Sequence, residues 1–164
     1  MVRMRQGGKL AILFALVLVV SAAAAPILAG ESPATSKGQI IYVPGYSHIY
    51  SGDKERPIFL AVTISIRNTD PDKWIQIDKV DYYDTEGNLV RKYLNLPMQL
   101  RAMASTRFVV PESEKGGGSG ANFIVQWSAQ QAVSPPVIET VMISTRMQQG
   151  ISFTSRGQII KELK

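Results

Sequence analysis

Tyr46, His48 and Tyr50 alternate along one short segment of the sequence. Because alternate side chains of an extended strand point to the same face, we expect the two phenols and the imidazole to share a surface. Aromatic faces stack on rings and sugars, and an imidazole titrates near neutral pH. The segment therefore predicts a ligand-binding surface, with the carboxylates of Asp53 and Glu55 close behind it. The structural alternative is that both tyrosines pack at a sheet edge while the histidine bonds a neighbouring carbonyl.

The residue inventory favours a non-catalytic module. His48 is the sole histidine and there is no cysteine, so a general base would be this imidazole or a carboxylate whose pKa burial has raised. A hydrolase triad can be written from His48, Asp53 and either Ser47 or Ser119. The segment around Ser119 does not form a nucleophile elbow, however, because Ala121 stands where the final glycine belongs. A hydrolase using His48 is therefore the weaker alternative, and we predict no cofactor and no metal site.

A glycine-rich segment occupies residues 115–120. Its lysine precedes the glycines and no helix is predicted after it, which is unlike a phosphate-binding loop. We predict a mobile hairpin loop that only a partner or ligand would fix, because ordering so many glycines costs entropy. Mobile backbone and aromatic faces are both common in recognition. Ser119 and Asn122 therefore join Tyr46, His48 and Tyr50 in the predicted ligand-binding surface.

The N-terminus has the three-part pattern of a secretory signal. Basic residues come first, the uncharged apolar run 10–20 follows, and small residues fill 21–25. We predict a signal peptide at residues 1–24, because cleavage after Ala25 would leave Pro26 directly behind the scissile bond. The mature protein is then exported to the periplasm or cell envelope. The alternative is an inner-membrane anchor at residues 10–29, since about 20 apolar residues span a bilayer.

Charge and cysteine content restrict the partners. Loss of residues 1–24 removes three basic groups and lowers the net charge from +5 to +2. Without clustered Lys or Arg, nucleic acid is not a predicted partner. An unknown envelope protein or a small molecule, including a carbohydrate, is predicted instead, and membrane contact requires an uncleaved N-terminus. The absence of cysteine excludes a disulfide framework, a lipoprotein anchor and a thiolate metal site.

Apolar residues with period two, broken by turn-forming residues, predict an all-β protein. Residues 25–37 are predicted to be a linker and residues 38–164 one domain, preceded by the signal-peptide helix. About eight strands are predicted, at residues 40–43, 59–67, 74–83, 89–94, 105–110, 121–128, 137–145 and 151–160. Sequential turns between two-faced strands favour an immunoglobulin-like antiparallel β-sandwich over a parallel α/β sheet.

Local patterns add detail to these strands. A shift of phase near residues 78–79 predicts a β-bulge, residues 84–88 predict a hairpin turn, and residues 68–72 predict a surface turn. Two sets of alternating residues are predicted to face the core: Leu60, Val62, Ile64 and Ile66 in one strand, and Phe123, Val125 and Trp127 in another.

Six separate strings of the sequence are unusual enough to compare with known families. They are residues 42–50, 65–70, 80–84, 104–110, 118–125 and 150–157. Together they resemble the bacterial family catalogued as domain of unknown function 3124, over roughly residues 38–162. That family contains exported or envelope proteins without an established activity. The resemblance therefore implies export and supplies no catalytic residues.

Overall fold

The structure is a computed structural model that describes residues 34–145 and 150–163. These residues form twelve β-strands and no helix. The strands are β1 (Ser36–Pro44), β2 (His48–Ser51), β3 (Arg56–Phe59), β4 (Ala61–Arg67), β5 (Ile75–Tyr83), β6 (Leu89–Lys92), β7 (Met98–Leu100), β8 (Ser105–Val110), β9 (Asn122–Val133), β10 (Val137–Ser144), β11 (Ile151–Arg156) and β12 (Gln158–Glu162). The predicted signal peptide lies outside the described residues. The described residues contain no helix that could span a membrane.

The strands form an antiparallel β-sandwich, which confirms the predicted fold class. One sheet has the order β12-β1-β9-β5-β6, and β7 also pairs with β5. The second sheet has the order β11-β10-β4-β8. β2 and β3 pair with each other and form a separate two-stranded hairpin. The hairpin therefore belongs to neither of the large sheets.

Most predicted strands are present, and four further strands were missed. β2, β3 and β7 have only three or four residues, too few to establish a period of two. β12 was merged with β11 into one predicted strand, although the two lie at the edges of different sheets. β1 begins at Ser36, two residues before the predicted start of the domain.

The predicted core positions are confirmed. Leu60, Val62, Ile64, Ile66, Phe123, Val125 and Trp127 are all fully buried. The predicted bulge is also confirmed, because the pairing of β5 with β9 shifts register between Ile77 and Lys79. The extra residue reverses the alternation of β5, so Ile77 before the bulge and Val80 after it both face the core.

Asn68 and Asp70 follow β4 and are buried, with exposures of 3% and 6%. The amide nitrogen of Asn68 donates to the carbonyls of Lys73 (2.8 Å), Leu100 (3.2 Å) and Arg101 (3.0 Å). Its amide oxygen accepts from the N–H of Asp70 at 3.0 Å, as expected for a turn that bonds its own backbone. The prediction of a surface turn is wrong for these two side chains, because they are buried and bond backbone groups of other connections as well as of their own.

The Asp70 carboxylate joins two separate connections. One oxygen accepts from the N–H groups of Asp72 (3.0 Å) and Lys73 (2.9 Å), and the other accepts from the N–H of Ser134 at 3.1 Å, beyond β9. We call Asn68, Thr69 and Asp70 the buried polar turn, after the two buried side chains of Asn68 and Asp70. It ties the β4–β5 connection to the chain between β9 and β10.

Gly157 marks the point where the chain passes from β11 in one sheet to β12 in the other. Its N–H donates to the Ile138 carbonyl at 2.9 Å. A Cβ atom at this position would lie 2.6 Å from the Ile41 side chain and 3.1 Å from the Ile138 carbonyl oxygen. The crossing therefore requires a residue without a side chain.

We expect Gly157→Ala to destabilise the protein by about 1–3 kcal/mol, because the added methyl overpacks the crossing. Gly150→Ala is the matched control, since the described atom nearest to the added Cβ, the Ser144 carbonyl oxygen, is 3.9 Å away. Urea unfolding of both variants measures the difference. Equal stability of the two variants would contradict the steric role of Gly157.

We expect the protein to lose stability in acid because of the Asp70 carboxylate. The N–H of Asp72, reinforced by those of Lys73 and Ser134, holds the pKa of this carboxyl below its ordinary value of 3.8 despite the opposing effect of burial. A pKa lowered by folding contributes stability above the ordinary value, and that contribution is lost as pH falls through the lowered one.

Asp70→Asn should therefore lower the urea midpoint near neutral pH and weaken its dependence on pH between about 5 and 2. Asp53→Asn, at the exposed turn of the β2–β3 hairpin, is the control and should leave both quantities close to wild type. If Asp70→Asn kept the neutral midpoint and the acid slope of the wild type, the proposed contribution of the carboxylate would be refuted.

Candidate functional site

Ser47, immediately before β2, anchors the β2–β3 hairpin to the sandwich. It is fully buried. Its N–H and its hydroxyl both donate to the Gly118 carbonyl, each at 3.1 Å. Its own carbonyl accepts from the N–H of Leu60 at 2.9 Å, just before β4. Both ends of the hairpin are thereby fixed, one to the glycine-rich segment and one to the core.

The glycine-rich segment is held by the protein itself. The N–H and hydroxyl of Thr85 donate to the Gly117 carbonyl at 2.9 and 3.2 Å, and the same hydroxyl accepts from the Gly120 N–H at 3.0 Å. The segment connects β8 and β9, which lie in different sheets. The prediction of a hairpin loop that only a partner or ligand would fix is therefore wrong, because Ser47 and Thr85 bind its backbone.

The glycines of this segment serve close packing. A Cβ at Gly117 would collide with the Tyr82 hydroxyl, and one at Gly118 would collide with the Thr85 hydroxyl. Gly118 also has a φ of +82°, which side-chain-bearing residues rarely adopt. Burial raises the pKa of Tyr82 far above its ordinary value of 10.0, so the phenol stays neutral and donates to the Gly45 carbonyl at 3.4 Å.

His48 and Tyr50 lie together on the hairpin, as two of the three residues of the predicted aromatic surface. His48 Nε2 is 3.1 Å from the Tyr50 hydroxyl, and the two rings meet edge to face at 5.1 Å. The ring of Phe59, the cross-strand partner of His48, lies 5.9 Å from the imidazole. Tyr50 remains 53% exposed. The structural alternative placed a bond between His48 and a carbonyl, whereas the imidazole bonds a phenol.

Lys115 extends this cluster, because its ammonium lies 4.7 Å from the centre of the Phe59 ring. We call His48, Tyr50, Phe59 and Lys115 the hairpin surface. Neither Phe59 nor Lys115 was predicted as a site residue. The sequence pattern predicts Phe59 at the start of the next strand, and the pairing of β2 with β3 that brings it to His48 has no local sequence signal.

The other predicted site residues lie elsewhere. Tyr46 packs against the core, with its ring 6.2 Å from that of Phe153 in β11. Residues 45–47 are bound to the segment before β9 and do not continue the strand, so the expected alternation is lost. Ser119 is half-buried in the glycine-rich segment, and Asn122 begins β9 opposite Pro44. In the described part of the chain, no hydrogen bond or ring contact joins either residue to His48 or Tyr50.

The surroundings of His48 do not form a catalytic triad. Its Nδ1 is buried without a hydrogen-bond partner among residues 34–145 and 150–163, and its Nε2 bonds a phenol. Asp53 lies at the far turn of the hairpin, where it lines an open hollow with Ser51 and Arg56. Across the described ranges, no three His, Cys, Asp or Glu side chains are grouped to hold a metal ion. The arrangement is suited to contact through aromatic faces.

A second concave region surrounds Trp74, next to the start of β5. Two hollows of about 230 and 210 Å³ both have Trp74 and Gln130 in their walls. The sequence pattern predicts only that Trp74 begins a strand, and it predicts no role for Gln130. Trp74 lies more than 50 residues before Gln130 and Gln131, so the three form no recognisable sequence motif. The pairing of β5 with β9 brings them together.

Comparison with known proteins places the chain in a family. A family model described as "Protein of unknown function (DUF3124)" matches residues 38–160, from β1 into β12. No curated protein matched the chain. Among solved structures, the chain is similar to that titled "Crystal Structure of Thermotoga maritima 1070", with 11% identity, a TM-score of 0.46, and coverage of 76% of this chain and 97% of that one. Since the family match spans nearly every described strand, the protein belongs to the family of unknown function DUF3124.

Proposed function

We propose that this protein is an exported, non-catalytic recognition module of the periplasm or cell envelope, which binds another envelope protein through the hairpin surface. The observation that carries the proposal is the position of the β2–β3 hairpin. It lies outside both large sheets, is anchored at both ends, and exposes Tyr50. Tyrosine is enriched at protein interfaces because one rigid ring provides apolar contact area and a polar hydroxyl.

Anchoring supports recognition by lowering the entropy lost on binding. An isolated two-stranded hairpin is marginally stable in water, but this one begins at the buried Ser47 and ends at the buried Leu60. The bond between His48 and Tyr50 further restricts the exposed ring. A surface that is ordered before binding loses less conformational entropy when the partner arrives.

Among the residues that the structure describes, no carboxylate bonds the imidazole of His48, which supports a non-catalytic role. General-base catalysis by histidine is assisted by a group that orients the imidazole, usually a carboxylate. Here the imidazole bonds Tyr50 and packs against Phe59. Export is supported by the N-terminal signal pattern, which has basic residues, an apolar run and small residues in the required order.

Isolation of the protein from its native host should yield a soluble periplasmic form whose intact mass corresponds to a chain beginning at Ala25. Mass spectrometry after fractionation of the cells measures both properties. Full-length mass in the membrane fraction would support the alternative anchor at residues 10–29. Recovery of the full-length chain in the cytoplasm would refute export.

Photocrosslinking tests the hairpin surface. With benzoylphenylalanine in place of Tyr50, irradiation of intact cells should produce one discrete adduct with another envelope protein. Leu96 is the matched control position, because it is 79% exposed and lies outside the hairpin. Adding His48→Ala to the Tyr50 derivative should reduce the adduct, since the imidazole supports the ring at that position.

The same adducts from positions 50 and 96 would indicate random collision and contradict the proposed surface. The proposal would also be refuted if position 50 formed no adduct while the derivative remained folded and exported at wild-type levels. A discrete adduct from position 50 alone would identify the partner by its mass.

A further inference from the structure

The geometry points to a carbohydrate-binding groove around Trp74, separate from the hairpin surface. One hollow has Asp72, Lys73, Gln131 and Val133 in its wall, and the other has Gln76, Ser128 and Ala129. Trp74 and Gln130 belong to both. The two hollows follow one another along the start of β5 and the second half of β9. We call this region the Trp74 groove, and we propose that it binds a neutral glycan chain.

The groove originates in an irregularity of β9. Gly38 of β1 lies opposite Ser128, but Ser36 lies opposite Val133. The four residues 129–132 of β9 therefore face a single residue of β1. Bulges of this kind redirect side chains and are common beside binding sites. Gln130 and Gln131 lie within this bulge and are exposed.

The buried polar turn fixes both sides of the groove. Asp70 accepts from the N–H of Lys73 on one side at 2.9 Å and from that of Ser134, next to Val133, on the other at 3.1 Å. The ammonium of Lys73 then bridges to the Ala132 carbonyl at 3.0 Å. The groove is thus formed in the absence of ligand, which lowers the cost of binding.

The side chains of the groove match the chemistry of sugars. The half-buried indole of Trp74 offers an apolar ring face on which the C–H face of a pyranose can stack. The side-chain amides of Gln130 and Gln131 are exposed and make no hydrogen bond to residues 34–145 or 150–163. Each amide carries two donors and an acceptor, which is the combination that bonds neighbouring sugar hydroxyls.

The net charge of the groove and the volumes of its hollows restrict the class of ligand further. Asp72 and Lys73 carry opposite charges, so the groove has no net charge that would select an ionic ligand. Each hollow is smaller than the roughly 300–1,000 Å³ of sites for drug-sized molecules. One sugar ring suits each hollow, and the indole shared between them favours a chain of at least two sugars over a monosaccharide.

Isothermal titration of the exported protein with cellotetraose, maltotetraose and chitotetraose tests the proposal. At least one of these neutral oligosaccharides should bind, and its monosaccharide should bind at least about tenfold more weakly, because it fills only one hollow. Trp74→Ala should weaken binding of the oligosaccharide by about tenfold or more, and Gln130→Ala by a smaller factor.

Two controls keep the result interpretable. Tyr50→Ala alters the hairpin surface and should leave oligosaccharide affinity unchanged, so failure of either proposal is distinguishable from failure of the other. Thermal unfolding should show that Trp74→Ala is folded. If Trp74→Ala is unfolded, the double variant Gln130→Ala/Gln131→Ala provides the same test of oligosaccharide affinity. Both of its altered side chains are exposed, so their removal should leave the fold intact.

Two results would overturn the proposal that the Trp74 groove binds a carbohydrate. The first is the absence of binding to all three oligosaccharides. The second is binding that the folded groove variants retain in full.

Discussion

The structure depends on burial between the two large sheets, since neither disulfides nor, in the described residues, a metal-binding cluster can stabilise it. The fully buried side chains of β4 and β9, in opposite sheets, belong to one apolar core. Complete burial of a large aliphatic or aromatic side chain contributes about 1.5–3 kcal/mol. The core therefore holds the two sheets together. Every segment that connects one sheet to the other must pass around this core.

Connections around such a core bury backbone groups that need hydrogen-bond partners. Short polar side chains supply those partners near both ends of β4. Ser47 bonds the glycine-rich segment near one end, and Asn68 and Asp70 bond three connections near the other. The same groups position the two candidate sites. Ser47 anchors the hairpin surface, and Asp70 fixes the sides of the Trp74 groove.

The two sites differ in the chemistry that they present. The hairpin surface has an exposed phenol supported by an imidazole, with Lys115 over the Phe59 ring, and is suited to the broad face of a protein. The Trp74 groove is concave and has planar amides beside an indole, and is suited to a chain of small polar rings. Both lie on irregular parts of the scaffold, where side chains are free to contact a partner.

Sequence periodicity determined the β class, the core faces of β4 and β9, and the bulge of β5, because alternation of apolar residues directly reports which face of a strand is buried. Tertiary structure decided which connections are anchored and which side chains meet in the two candidate sites. Ser47 meets Gly118 across 71 residues and Asp70 meets Ser134 across 64, so no local pattern predicted the anchoring of the glycines or the burial of the polar turn. Long-range pairing likewise separates Tyr46 from His48. It also brings Trp74 next to Gln130. Which strands pair is a property of the whole chain, because each pairing is favourable only with the core that the others complete.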